Sequence, residues 1–455
     1  VVREVIGLEI GLFTVGLTLL VVLNDVAPRL RAVLELLLAG SLATFSVASL
    51  AIAVAAVPSV RLPPRRRRTP PNTTAIIAAY LPNEAEVLAD SIQAHLDSGP
   101  EDLQVIVAYN TPSPMGFEQD LTLIAERDPR VVILHVPAST SKAENINAAL
   151  AVATGDIIGL FDADHQPHPG GFDRASRWLD AGFDVVQGRC VVRPGSGSTL
   201  RQTALTNIVG TEFETMYAVG HPGRTRLHGF GLFGGSNGYW RSNVLRHTLF
   251  DSSALTEDID ASVRLLTRGG RIATDPAIIS SELAPPSWTA LMTQRLRWAQ
   301  GWFQVSQRHL LNLAGTKRLS WRQRVGTVWL FGFGVIVPWL AALTLPFMIF
   351  NATVGPSSHW RPWIGAFVTI GTVAFLAHTA VAYRHSAPAH RKLLKFALYV
   401  VANIVVYAQL RVAIVRLGHL HHLLGRTEWR VTPRVLSADL AQLPGRADPP
   451  AVSRE

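Results

Sequence analysis

Long apolar stretches at both ends of the chain, with none between them, constrain the fold more than any other feature. Residues 5–23 hold a single charge, Glu9, and residues 33–57 hold only Glu35. About 20 apolar residues cross a bilayer as a helix, and both stretches are long enough. The first could be a secretory signal. A second stretch follows after a short polar link, however, with no small-residue cleavage site between. The pair reads as two membrane helices, with buried core helices as the competing reading. The apolar pattern returns at 325–350 and 362–383, while 396–410 is short for a span and is followed by Arg411. Composition agrees: 48% of residues are apolar and 16% charged, against a usual charged share of about 25%. That excludes a disordered chain and argues against a wholly soluble one.

The basic residues suggest which side is which. Residues 61–71 form a proline-stiffened linker around Arg65–Arg68. An arginine run beside a span marks the cytoplasmic face and can touch anionic headgroups. Three spans after a cytoplasmic domain would place the tail outside. Yet Arg411, Arg416, Arg426, Arg430 and Arg434 look cytoplasmic. Either 396–410 lies at the interface or another segment crosses. The 42 Lys+Arg against 33 Asp+Glu give +9, which suits anionic partners. Because the arginines abut a span, lipid headgroups and a diphosphate explain this better than nucleic acid. Cys190 is the single cysteine, which excludes an intrachain disulfide and a cysteine-based zinc site.

Residues 72–315 read differently. Apolar runs at 74–80, 103–109, 131–136 and 156–161 alternate with amphipathic segments, the pattern of βαβ units and a parallel sheet. The expected organisation is two membrane helices (1–60), the linker (61–71), an α/β domain (72–315), further membrane or interfacial helices (316–435) and a disordered tail (436–455). Such sheets bind ligands at the carboxyl ends of their strands, and the candidate residues lie there. Asp162 and Asp164, with Ala163 between them, follow the fourth strand. The pair can hold a hard divalent cation, although turns often contain the same pattern. His165 is a further ligand or a loop residue. Thr256, Glu257 and Asp258 open a helical pattern. Their carboxylates either complement the helix dipole or aim a general base at a substrate. Gln294, Arg297 and Trp298 share one helix face. They suit a diphosphate grip and a sugar-stacking indole, or an interfacial helix with an aromatic anchor. The loop Gly234–Gly238 permits close backbone approach but has no P-loop ending.

In this order and spacing, the motifs at 162–164, 256–258 and 294–298 resemble those of the processive family 2 glycosyltransferases, among them cellulose, hyaluronan and chitin synthases. The resemblance covers 72–315 well and the membrane ends in outline. It implies an α/β fold, a nucleotide-sugar-binding GT-A-type domain with a mostly parallel sheet, flanked by transmembrane α-helices. It also implies roles. Asp162 would contact the nucleotide, and Asp164 would contact a Mg2+ or Mn2+ ion on the diphosphate. Asp258, beside Glu257, would be the base, and Arg297 would stabilise the leaving group. Gln294 and Trp298 would line the acceptor site, with Ser236 and Asn237 on a substrate-side loop. Glu84 and Lys142 resemble donor-side residues. Two positions depart from the pattern. Asn110, after Tyr109, stands where the family has an acidic pair, which loosens the assignment to a UDP-sugar, and Pro82 replaces a tyrosine. The expected reaction is inverting transfer to a growing β-linked polysaccharide, with the chain passed through the membrane. The alternatives are one transfer to a lipid-linked acceptor, or a transporter or receptor with a nucleotide-binding domain. The expected setting is the plasma membrane, with the catalytic domain cytoplasmic.

Overall fold

The computed structural model describes residues 1–65, 71–193, 199–353, 362–387 and 390–426. Arg66–Arg68, Arg430, Arg434 and the 436–455 tail lie outside the described residues. The four expected apolar runs form β1 (Thr73–Tyr80), β2 (Gln104–Asn110), β3 (Val131–His135) and β4 (Ile157–Asp162). They are joined by β5 (Gln166–Pro167), β6 (Val185–Val192), β7 (Gly238–Arg241) and β8 (Ile272–Glu282). All eight make one sheet, ordered β3-β2-β1-β4-β7-β6-β8-β5. β1 to β4 pair in parallel, whereas β7 runs antiparallel to both β4 and β6.

The strands read as continuous apolar runs because both faces of the sheet are covered. Alternate residues go to opposite cores. Ile76, Ile106 and Leu160 join Ile146, Trp240 and Ile259 on one face. Ile77, Val107 and Phe161 join Leu88, Ile92 and Phe172 on the other. This register puts Asp162, Tyr80 and Asn110 together at one end of the sheet, where Ala78 pairs with Asp162 and Tyr80 with Asn110.

Among the described residues, four helices are long and apolar enough to cross a membrane: Val2–Val26, Pro28–Ala56, Trp321–Thr353 and Leu393–Leu423. The 362–383 stretch forms the helix Pro362–His385, packed along Pro28–Ala56. The 396–410 stretch is part of a longer helix, Leu393–Leu423, which is long and apolar enough to cross by length and composition. The helix continues to Leu423 because its arginines are matched inside the protein. Arg416 Nε donates to Glu9 Oε1 at 2.9 Å and its Nη1 donates to the Pro338 carbonyl at 2.6 Å. Arg411 Nη1 bonds Glu212 at 3.1 Å. Charges taken out of water are expensive unless paired in this way. The start of the linker is strapped to the α/β domain. Arg226 bonds the carbonyls of Ala55 and Ser59, and Arg177 bonds that of Pro63.

Candidate active site

The site begins where β4 ends. Asp162 N–H donates to Ser236 Oγ at 3.0 Å. Lys142 opens the helix Lys142–Ala149, whose N-cap Ser141 accepts from Glu144 N–H. Its ammonium donates to the Asp162 carboxylate and, at 2.7 Å, to the Gly235 carbonyl. Gly235 has φ +91°, and a Cβ there would stand 2.9 Å from Asp258 Oδ2. Only glycine can pass between Lys142 and Asp258 in that conformation. Asp258 lies in the first turn of the helix Glu257–Thr267 and accepts from Ile259 N–H at 2.9 Å. The fold thus gathers Lys142, Asp162 and the Glu257–Asp258 pair from three separate segments.

Their charges tune one another. Burial works against the Lys142 charge, but Asp162, Glu257 and Asp258 hold its ammonium above the ordinary lysine range. Burial, and then the neighbouring Glu257, push the Asp258 carboxyl up to about 7, with Lys142 opposing. A carboxylate that changes charge near neutrality can accept a proton effectively.

Asp164 is 1% exposed, and its Oδ2 accepts from Leu283 N–H at 2.9 Å. Asp162 and Asp164 remain a hard-oxygen donor set, the chemistry that Mg2+ and Mn2+ prefer. Glu84 Oε2 accepts from Tyr80 N–H at 2.8 Å, closing the start of the helix Leu81–Ser98 at the end of β1. Asn110 donates to Ser139 O at 3.0 Å and accepts from Asn145 Nδ2 at 2.8 Å. Its amide therefore ties the end of β2 to the loop after β3 and to the Lys142–Ala149 helix. Tyr109, next to Asn110, is stacked on His135, with ring centroids 4.9 Å apart. Ser236 and Asn237, expected on a substrate-side loop, point their side chains into the protein. Both are buried. Ser236 holds Asp162, and Asn237 Nδ2 donates to the carbonyls of Arg189 and Ile278. Their side chains shape the loop.

Gln294, Arg297 and Trp298 lie on the helix Trp288–Gly315. A Cβ on Gly301 would stand 2.4 Å from Thr256 Cγ2, so this glycine lets the helix pack directly on the start of the Asp258 helix. Gln294 is buried. Among the described residues Arg297 forms no ion pair, whereas Arg295 forms one. Arg295 bonds Glu212 at 2.8 Å and lies 4.2 Å above the Trp298 ring. Glu212 also accepts from Tyr407 OH at 2.7 Å and from Arg411. Neither this hub nor Gln187 is legible from local sequence. Gln187 holds the glycine loop through Gly234 N–H at 2.7 Å and Ser236 O at 2.9 Å. It sits mid-strand in β6, where nothing nearby in sequence marks it.

Comparison with known proteins decides the family. The family profile described as "Glycosyltransferase like family 2" matches residues 70–301. The chain belongs to glycosyltransferase family 2. This sets aside the transporter or receptor reading. The chain is 26% identical over 281 residues to a probable glycosyltransferase, YdaM, of Bacillus subtilis, covering 59% of this chain and 64% of that protein. It is 27% identical over 186 residues to the cellulose synthase catalytic subunit [UDP-forming] of Komagataeibacter sucrofermentans, covering 37% and 23%. It is 24% identical over 267 residues to a poly-β-1,6-N-acetyl-D-glucosamine synthase of Staphylococcus aureus, covering 57% and 62%. The chain thus spans less than two thirds of each of these relatives. A mannosyltransferase from Pyrobaculum calidifontis, solved with GDP-Man and Mn2+, shares the fold at a TM-score of 0.54 and 17% identity. That match covers 82% of this chain and 97% of that one. The family 2 domain here is therefore GT-A-like, with apolar helices on either side.

Proposed function

We propose that this family 2 glycosyltransferase is a membrane-embedded, inverting polymerase. It would transfer a sugar from a nucleotide-sugar donor, a UDP-sugar, to the hydroxyl of a growing β-linked polysaccharide. The observation that carries the reading is the placement of Asp258. Its carboxylate changes charge near neutrality, sits against Gly235, and shares its neighbourhood with the Lys142–Asp162 pair. The Gln294–Trp298 helix packs on the same segment through Gly301.

On this reading Lys142, with Glu84, Asn110 and Asp162 at the strand ends, forms the donor side. A divalent cation held by Asp162 and Asp164 would supply Lewis-acid stabilisation of the diphosphate. Arg297 adds fixed positive charge where the leaving group gains negative charge. Asp258 takes the proton of the acceptor hydroxyl, which attacks the anomeric carbon from the opposite face, so an α-linked donor gives a β-linked product. Trp298, steadied by Arg295, offers the acceptor a flat apolar surface, with Gln294 beside it. Two relatives named as polysaccharide synthases and the flanking apolar helices favour polymerisation with translocation over a single transfer to a glycolipid acceptor. The arginine-rich linker favours a cytoplasmic catalytic domain at the plasma membrane.

The test is a screen of nucleotide sugars with the detergent-purified protein. Release of nucleoside diphosphate is followed, and product length is read by mass spectrometry. A ladder of oligosaccharides from one donor supports the reading. A single-sugar product sends it to the glycolipid alternative. Excess EDTA should stop turnover, and added Mg2+ or Mn2+ should restore it.

A further inference from the structure

A single cysteine argues against a cysteine-based zinc site, yet the fold assembles three different ligand types from distant positions. His165 follows Asp164 in the turn after β4, Cys190 lies in β6, and Glu282 ends β8. Their ligand atoms all lie within 4.8 Å of one another. His165 is 0%, Cys190 1% and Glu282 9% exposed.

The histidine is oriented as a ligand would be. Its Nδ1 is 3.0 Å from Ser280 Oγ. Its Nε2 faces Glu282 Oε2 at 3.6 Å, beyond hydrogen-bond distance. This Nε2 is a fully buried nitrogen with no hydrogen-bond partner among the described residues. Metal-binding histidines are held in this manner. One ring nitrogen is fixed by a neighbour, which sets the tautomer and aims the other at the ion. The Cys190 sulfur makes a 4.0 Å contact with the Ser236 carbonyl and has the Tyr217 hydroxyl beside it.

We propose that His165, Cys190 and Glu282 form a Zn2+ site separate from the Asp162–Asp164 pair. A thiolate, an imidazole and a carboxylate are ligands that zinc accepts and magnesium does not match. On binding, Cys190 releases its thiol proton to solvent and His165 binds as the neutral imidazole. The thiolate and carboxylate then cancel the charge of the ion, so the buried site is neutral overall. Three protein ligands leave a fourth tetrahedral position. The ion joins the turn carrying Asp164 to β6 and β8 and thereby fixes where that carboxylate stands. The site does not depend on the catalytic reading.

The test uses the full-length protein in detergent, stripped of metal and titrated with Co2+. About one equivalent per chain should give a near-ultraviolet thiolate-to-cobalt charge-transfer band, and Zn2+ should abolish it by displacement. Asp164→Asn should keep the band, because carboxylates give none. Cys190→Ser should lose it while Co2+ binding at the carboxylate pair persists. Ser280→Ala should weaken cobalt affinity about tenfold or more. Absence of the band from the wild-type protein overturns the proposal, whether or not any variant folds. So does a band that survives Cys190→Ser.

Discussion

Two carboxylates, the half-buried Asp258 and the buried Glu212, meet opposite fates. Burial, and then Glu257, push Asp258 up to about 7, with Lys142 as the main opposing charge. Burial also pushes Glu212 up, but Arg295, Arg411 and Tyr407 outweigh it and hold the carboxyl below its usual range. The difference lies in the partners. Glu212 is surrounded by donors from two other helices and stays charged, so it acts as a strut between Trp288–Gly315 and Leu393–Leu423. Asp258 shares one ammonium with Asp162 and has a like charge next to it, so it is left able to take up a proton. Desolvation alone does not make a base; an incomplete set of counter-charges does.

Breaking each side of this comparison should have different consequences. Asp258→Asn should leave donor binding largely intact and lower transfer by about 10²–10⁴-fold, read as product formation against donor binding by calorimetry. Near-normal transfer would remove Asp258 as the base. Arg297→Ala should lower the turnover rate by about 10²-fold or more if it faces the leaving group, with a smaller change in donor affinity. A loss confined to donor affinity would reassign it to ground-state binding. Glu212→Gln should instead act on stability. It leaves Arg295 and Arg411 without their counter-charge, a change that costs about 3–5 kcal/mol at buried pairs. Its signature is a lower unfolding temperature in detergent with the pH profile of the remaining activity unmoved. A shifted profile with unchanged stability would mean that Glu212 belongs to the chemistry.

The β1–β4 core was readable because parallel strands buried on both faces leave continuous apolar runs, as at 74–80 and 156–161. Lys142, Asp162 and Asp258 were readable because strand ends and helix starts are where such sheets gather charge. The burial of Ser236 and Asn237 was not, since a glycine-rich loop looks the same in sequence whether its side chains face outward or hold the backbone. The reach of the last helix was misread at Arg411 and Arg416. Local hydropathy penalises an arginine without seeing partners as remote as Glu212 and Glu9. The His165–Cys190–Glu282 cluster was hidden for the same reason: its members come from a turn and two separate strands.

The pH dependence of transfer, measured in the wild type and in Glu257→Gln, tests the central claim most directly. Asp258 must be ionised to act, and its carboxyl lies near 7, so the rate should rise with pH through about 7. Removing the Glu257 charge, which raises Asp258, should move that acid limb to lower pH. A wild-type rate that stays flat from about pH 5 to 8, or a limb that does not move in Glu257→Gln, would contradict the assignment of Asp258 as a base tuned by its neighbours.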